Sequence, residues 1–239
     1  GRVYYIIWGI IIMKKNDKIV VVLGVIILVL ASIGVYFYDY EEITAKKADV
    51  EDFSHITGVL KENNLPTAIT VADTNPFYPL IATPVSVNYD SEGMQNIIPL
   101  FVKNMTDPSR AVIRAYGQIG VYGEKVIDGS KSAEELSLEF AEDYWKSSKA
   151  ALIIENNKSG YGLGIVATPI ASYLSIPVIV TDEIDTEVTT VLQDLGVEKT
   201  LICGENLEGY LSYMKFETVE EITDSINEIL LDKFGSRDP

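Results

Sequence analysis

The chain of 239 residues contains one cysteine and one histidine. Cys203 therefore has no partner for an internal disulfide, and a zinc-type cysteine/histidine cluster is excluded. Lying in an apolar run, Cys203 reads as a small core residue. His55 stands in a charged segment with no serine or cysteine motif beside it, and reads as a solvated or packing residue. Positive charge is scarce as well: 19 Lys and Arg face 35 Asp and Glu, for a net charge of −16. That balance argues against nucleic acid and against anionic membrane surfaces as partners of the soluble part, because both reward basic patches. A GxSxG serine, an HExxH zinc helix and a P-loop are also missing, which points to a non-enzyme. What remains is apolar: 47% of residues are hydrophobic, enough for one large or two small cored domains.

Residues Ile19 to Tyr38 (IVVVLGVIILVLASIGVYFY) run without a charge, matching the roughly 20 residues a helix needs to cross the hydrocarbon core. Lys14, Lys15 and Lys18 precede the run, and Asp39, Glu41 and Glu42 follow it. The basic flank predicts the N-terminus inside and the rest outside, on the extracytoplasmic side of the cell membrane. Tyr36, Phe37, Tyr38 and Tyr40 suit an aromatic belt. A cleaved signal peptide would carry a shorter apolar region ending in small residues; this run ends in aromatics, so residues 13–40 read as a basic start and an uncleaved single anchor. Residues 1–12 (GRVYYIIWGIII) precede Met13-Lys-Lys, which resembles a natural start; they are expected to be upstream translation, which mass spectrometry of the native N-terminus tests.

Beyond the anchor, residues 41–64 read as a stalk with a helix over 48–62, and an α/β pattern begins at Leu65. The clearest part runs from Ala150 to Glu205. Ala151–Ile154, Pro177–Val180 and Thr200–Cys203 are short, β-branched and almost uncharged, as strands buried on both faces of a parallel sheet are. Between them, 162–174 and 184–195 carry apolar residues at helical spacing, giving βαβ grammar. Elsewhere the pattern predicts strands at 68–72, 85–87, 111–115, 125–127 and 215–217. It predicts helices at 93–103, 132–146 and 219–234, and a short one near 207–213. Ile81-Ala-Thr-Pro-Val-Ser86 and Val166-Ala-Thr-Pro-Ile-Ala171 share a pattern. Each follows an apolar strand, so residues 65–127 and 128–235 read as two tandem Rossmann-like units, the first diverged.

Within the second unit, Asp128-Gly129-Ser130, Ala167-Thr168-Pro169-Ile170-Ala171, Pro177-Val-Ile-Val-Thr-Asp182 and Leu195-Gly196-Val197-Glu198-Lys199 occur in order. The segment 128–205 resembles the second type of cell wall-binding repeat of prokaryotic surface proteins. The resemblance implies a surface location and a cell-envelope polymer or surface protein as partner. Two departures bear on that ligand. Gly204-Glu205 stands where the family has Gly-Gly. Beyond the first 38 residues, 15 basic residues face 34 acidic ones, which repels an anionic polymer outside a local basic pocket.

Glu155, Asp182 and Glu205 each end a predicted parallel strand. If those strands are neighbours, the carboxylates share the ligand edge of an open α/β sheet. With Asn156, they are the candidate ligand-binding residues for a small solute. The three acids are candidate ligands for calcium or magnesium, hard cations that take oxygen donors. Gly162-x-Gly164-x-x-Ala167 fits a dinucleotide fingerprint, but five residues, Glu155 to Ser159, separate the strand from the glycines. A tight loop with close helix packing is the reading preferred here. Asn104-Met-Thr106 and Asn157-Lys-Ser159 are glycan acceptor triplets, with Asn104 and Asn157 the candidate sites.

Overall fold

The computed structural model describes residues 45–119 and 122–235. It begins with β1 (Lys46–Lys47), the single turn α1 (Glu51–Ser54), β2 (Val59–Leu60) and a 3₁₀ turn (Glu62–Asn64). Next come β3 (Ala68–Ala72), α2 (Phe77–Ser86), β4 (Val87–Tyr89), β5 (Gln95–Ile97), β6 (Leu100–Lys103), α3 (Arg110–Ile119) and β7 (Glu124–Ile127). The second half runs α4 (Ala133–Tyr144), β8 (Trp145–Ser147), β9 (Ala150–Glu155), α5 (Lys158–Leu174), β10 (Val178–Thr181), α6 (Thr186–Leu195), β11 (Lys199–Cys203), β12 (Ser212–Phe216) and α7 (Val219–Phe234).

β9, β10 and β11 have every residue buried except Lys199, which is why their sequences are nearly uncharged. They lie side by side in a parallel five-stranded sheet of order β1-β12-β11-β9-β10, with β10 at one edge. Helices cover both faces: α5 and α7 pack together on one, α4 and α6 on the other. The helix ends are set by local chemistry. Asp185 accepts from the backbone of Glu187 and Val188 at the start of α6, and Gly196 closes it at φ +76°. Ser132 and Glu135 form a capping box on α4, as Thr218 and Glu221 do on α7.

A smaller parallel sheet has the order β6-β3-β7. Its helix α2 packs on α5, joining the small sheet to the large one. Ala-Thr-Pro falls inside both helices. Thr83 Oγ1 donates to Pro79 O and Thr168 Oγ1 to Gly164 O, each one turn back. One continuous core links Ile69, Ile81 and Ile127 with Leu152, Ile179 and Ile229. Residues 65–127 and 128–235 therefore share a hydrophobic interior rather than each owning one. Trp145, fully buried, ties this junction by donating Nε1 to Ser175 O at 2.6 Å, while Tyr89 N donates to Ser175 Oγ at 3.1 Å.

Several expectations are corrected. The helix over 48–62 is absent: the segment breaks into β1, α1 and β2, with Ala48 and Phe53 buried in the core and β1 added to the large sheet. Residues 45–64 are thus part of the domain, not a stalk standing off it. Residues 93–103 are not a helix but β5 and β6. Gly93, at φ +78°, closes the β4–β5 turn, and Asp90 Oδ1 accepts from Glu92 N and Met94 N. The strand at 111–115 is helix α3, capped by Ser109 Oγ accepting from Val112 N. At 85–87 the helix continues to Ser86 before β4. Near 207–213 there is a loop leading into β12, pinned by Lys215 Nζ donating to Glu205 O and Leu207 O. Among the described residues no helix is long and apolar enough to cross a membrane. The run Ile19–Tyr38 and residues 1–12 lie outside them.

Lys233, on the last turn of α7, is half-buried and donates to Ile56 O, Thr57 Oγ1 and Tyr173 O. Burial pushes its ammonium down to about 8, partly offset by the charge of Asp90. The folded value lies below the unfolded one of about 10.4, so between those pH values the unfolded chain binds the extra proton and stability rises with pH. Relative to Lys233→Met, the wild type should gain about 1–2 kcal/mol between pH 7.5 and 10, allowing for solvent screening. Urea midpoints at the two pH values measure this, and a constant difference would contradict it.

Candidate functional site

In the large sheet the chain leaves β9 through α5 to β10, then returns through α6 to β11 on the other side of β9. The carboxyl ends of β9 and β11 are therefore the switch point, where open α/β sheets hold ligands. The expected adjacency is present: Thr181 pairs with Glu155 and Cys203 with Ile154, so Glu155, Asp182 and Glu205 share one edge.

They do not share one cavity. Glu155 is only 4% exposed, lying under the loop that follows β11. Asn206 donates to its carboxylate through the side-chain amide at 2.6 Å and the backbone N–H at 3.2 Å. Burial alone would raise this carboxyl. The Asn206 side-chain and backbone bonds, the Glu205 backbone and the Lys215 charge more than offset it, and it sits below the ordinary carboxylate range. A side chain on Gly204 would collide with Glu155, so the glycine lets this loop close down on the carboxylate. Asp182 is exposed and lines a cavity of about 460 Å³ with Glu183, Asn206, Glu208 and Tyr210. Glu205 faces a different cavity of about 640 Å³, with Lys158, Gly162, Lys215 and Glu217, and accepts weakly from Ser159 Oγ at 3.4 Å. Asn156 is half-buried and held by its backbone N–H donating to Thr181 O at 3.0 Å. Among the described residues no group of three His, Cys, Asp or Glu is arranged to hold a metal ion.

The glycine cluster resolves into separate jobs. α5 begins at Lys158, so Gly162 lies in its second turn and not where a strand meets a phosphate. A Cβ on Gly160 would fall on the Glu155 carbonyl, and one on Gly164 would press into Ile154 at 2.8 Å. Both allow α5 to lie close on β9. Gly162 faces open space. Cys203 is fully buried and burial pushes its thiol up, which fits a core residue; His55 is exposed at the end of α1.

Of the glycan candidates, Asn104 is exposed, its Oδ1 accepting from Thr106 N, Thr106 Oγ1 and Asp107 N. Asn157 is half-buried and caps α5, accepting from Gly160 N at 2.8 Å. Asn157→Ala should cost about 1 kcal/mol, as the loss of an N-cap does. A thermal melt checks this, and an unchanged Tm would show that the cap contributes nothing. Sequence reasoning missed Asn206 and Lys215. Neither belongs to a motif; their only signal was a position just beyond or within the strands that form the edge.

Fold and edge together define an open-sheet, doubly wound α/β domain whose switch point is closed from within. In comparisons with known proteins, no family model, no curated protein and no solved structure matches the chain.

Proposed function

We propose that this is a membrane-anchored surface protein whose extracytoplasmic domain binds a cell-envelope polymer or another surface protein without catalysis. The observation that carries the reading is the closed switch point. Glu155, the deepest acid at the ligand edge, spends its hydrogen-bonding capacity on Asn206, which favours surface contact over chemistry in a cleft. The resemblance to the cell wall-binding repeat supports it: Ala167–Ala171 lies in α5, Pro177–Asp182 spans β10, and Leu195–Lys199 makes the Gly196 turn into β11. Tandem duplication is part of this reading. It is supported by the shared arrangement of the two sheets, in which the first strand lies between the second and third: β6-β3-β7 and β10-β9-β11. The apolar run Ile19–Tyr38 supplies the anchor in this proposal.

The test is a pull-down of the full chain, in nonionic detergent, against isolated envelope fractions with glycan and protein components separated. Saturable capture by one fraction is expected; no capture by either overturns the reading. A second reading, binding of a small solute or divalent cation through the strand-end carboxylates, is favoured by the cavity that Asp182 lines, although among the described residues no three acids are arranged around one ion. Calorimetry with calcium decides it: no heat and no shift in melting discards the site.

A further inference from the structure

Within this acidic chain, α3 is a basic segment. No Asp or Glu occurs from Pro108 to Gly123, and Arg110 and Arg114 are the two arginines among the described residues. Both are exposed, and among the described residues neither has a carboxylate within ion-pair distance. They flank Ile113, which is 55% exposed. The helix has no fully buried residue. It is anchored through Tyr116, whose ring meets Phe101 and whose hydroxyl meets Thr70 and Glu124. Arg110, Ile113, Arg114 and Gly117 thus form an outward stripe that is basic and apolar. Two like charges one turn apart are mildly unfavourable on an isolated helix. An acidic partner would reverse that.

The complementary stripe lies on α7. Asp224 and Glu228 are exposed one turn apart, and Leu231, three residues on, is 50% exposed. Like the arginines, these acids have no ion-pair partner among the described residues. The two stripes match position for position in parallel register: Arg110 with Asp224, Arg114 with Glu228, and Gly117 with Leu231. A Cβ on Gly117 would meet nothing, so that position leaves room for an incoming leucine. α3 sits on the small sheet while α7 packs on α5 and α1, so the two belong to different parts of the surface.

We propose that α3 of one copy docks on α7 of a second copy, through Arg110–Asp224 and Arg114–Glu228 pairs around Ile113 and Leu231. The contact is head to tail, so it extends into a ring or a row of copies rather than closing as a two-fold dimer. α3 is only about 15 Å long, which keeps the interface below the size of permanent ones and makes the contact a weak, transient one. General repulsion between acidic copies disfavours contacts that lack such a basic stripe.

Sedimentation velocity of the full chain in nonionic detergent at 0.15 M salt tests this. The wild type should self-associate between about 1 and 100 μM. Arg110→Glu/Arg114→Glu and Asp224→Lys/Glu228→Lys should each weaken association about tenfold or more, with unchanged circular dichroism. An equimolar mixture of the two variants should associate again, because each then offers a stripe opposite in charge to the other's. A monomeric wild type at 100 μM overturns the proposal, and so does a mixture that stays dissociated. Loss with the α3 variant but not the α7 variant assigns α3 to a different partner and also overturns it.

Discussion

Gly160→Ala should cost about 3 kcal/mol or more of folding stability, while Gly162→Ala should leave stability unchanged or raise it by up to about 1 kcal/mol. The two glycines lie two residues apart on α5, yet they face opposite surroundings. A methyl on Gly160 meets the main-chain carbonyl of Glu155. That carbonyl ends β9 and accepts from Asn157 N in the turn into α5, so it cannot rotate aside as a side chain can, and the start of α5 must shift. Overpacking at a site that cannot yield lies at the upper end of the usual 1–3 kcal/mol range. A side chain at Gly162 would meet no heavy atom within 4 Å, and alanine in a helix interior is favoured over glycine by nearly 1 kcal/mol. Urea unfolding followed by circular dichroism separates them. Equal losses would show that the cluster is held for another reason, such as close approach of a ligand backbone.

That contrast shows what the sequence could and could not convey. The strands at 150–155, 178–181 and 199–203 were legible because burial on both faces leaves an uncharged β-branched run bounded by turn residues. The helix α7 was legible to the residue, since Thr218 and Gly235 mark its ends and isoleucines mark its inner face. β5, β6 and α3 in the upstream half were harder because they are exposed or only partly buried. Ala111–Ala115 is a short apolar run with two β-branched residues, and periodicity does not separate helix from strand at that length. The deciding signal was the single cap at Ser109. At 93–103 the helical spacing was accidental, and the Asp90–Gly93 turn carried the true information. Residues 45–64 look like a stalk because they are charged, yet Ala48 and Phe53 place them against the core.

The edge of the site was half legible. Parallel neighbours bring Glu155, Asp182 and Glu205 to one side of the sheet, as their positions after apolar strands imply. Whether they face one another depends on the loop 204–211, whose path is set by long-range contacts. Lys215 reaches back to its carbonyls and Thr200 Oγ1 donates to Tyr210 O. No local pattern encodes such contacts, so the division of the acids between two cavities appears only in three dimensions.

Glu155 decides how that edge is used, and Glu155→Ala should destabilise the domain by about 3 kcal/mol. Two hydrogen bonds to a charged, buried acceptor disappear, and the Asn206 amide is left without its partner. Glu155→Gln keeps the volume and one acceptor, and should cost about half as much. The charge makes the effect pH-dependent. Although burial raises the carboxyl, the Asn206 bonds, the Glu205 backbone and Lys215 bring its folded value below the unfolded one. The carboxylate's contribution is therefore complete above the ordinary glutamate pKa of about 4.3 and is lost as pH falls through the lower folded value. The gap in urea midpoint between wild type and Glu155→Gln should be full at pH 6 and shrink by pH 3. A gap that stays constant, or a Glu155→Ala domain as stable as the wild type, would mean that Asn206 does not hold the carboxylate. The switch point would then be open to a solute, and the cavity reading would displace the surface-contact one.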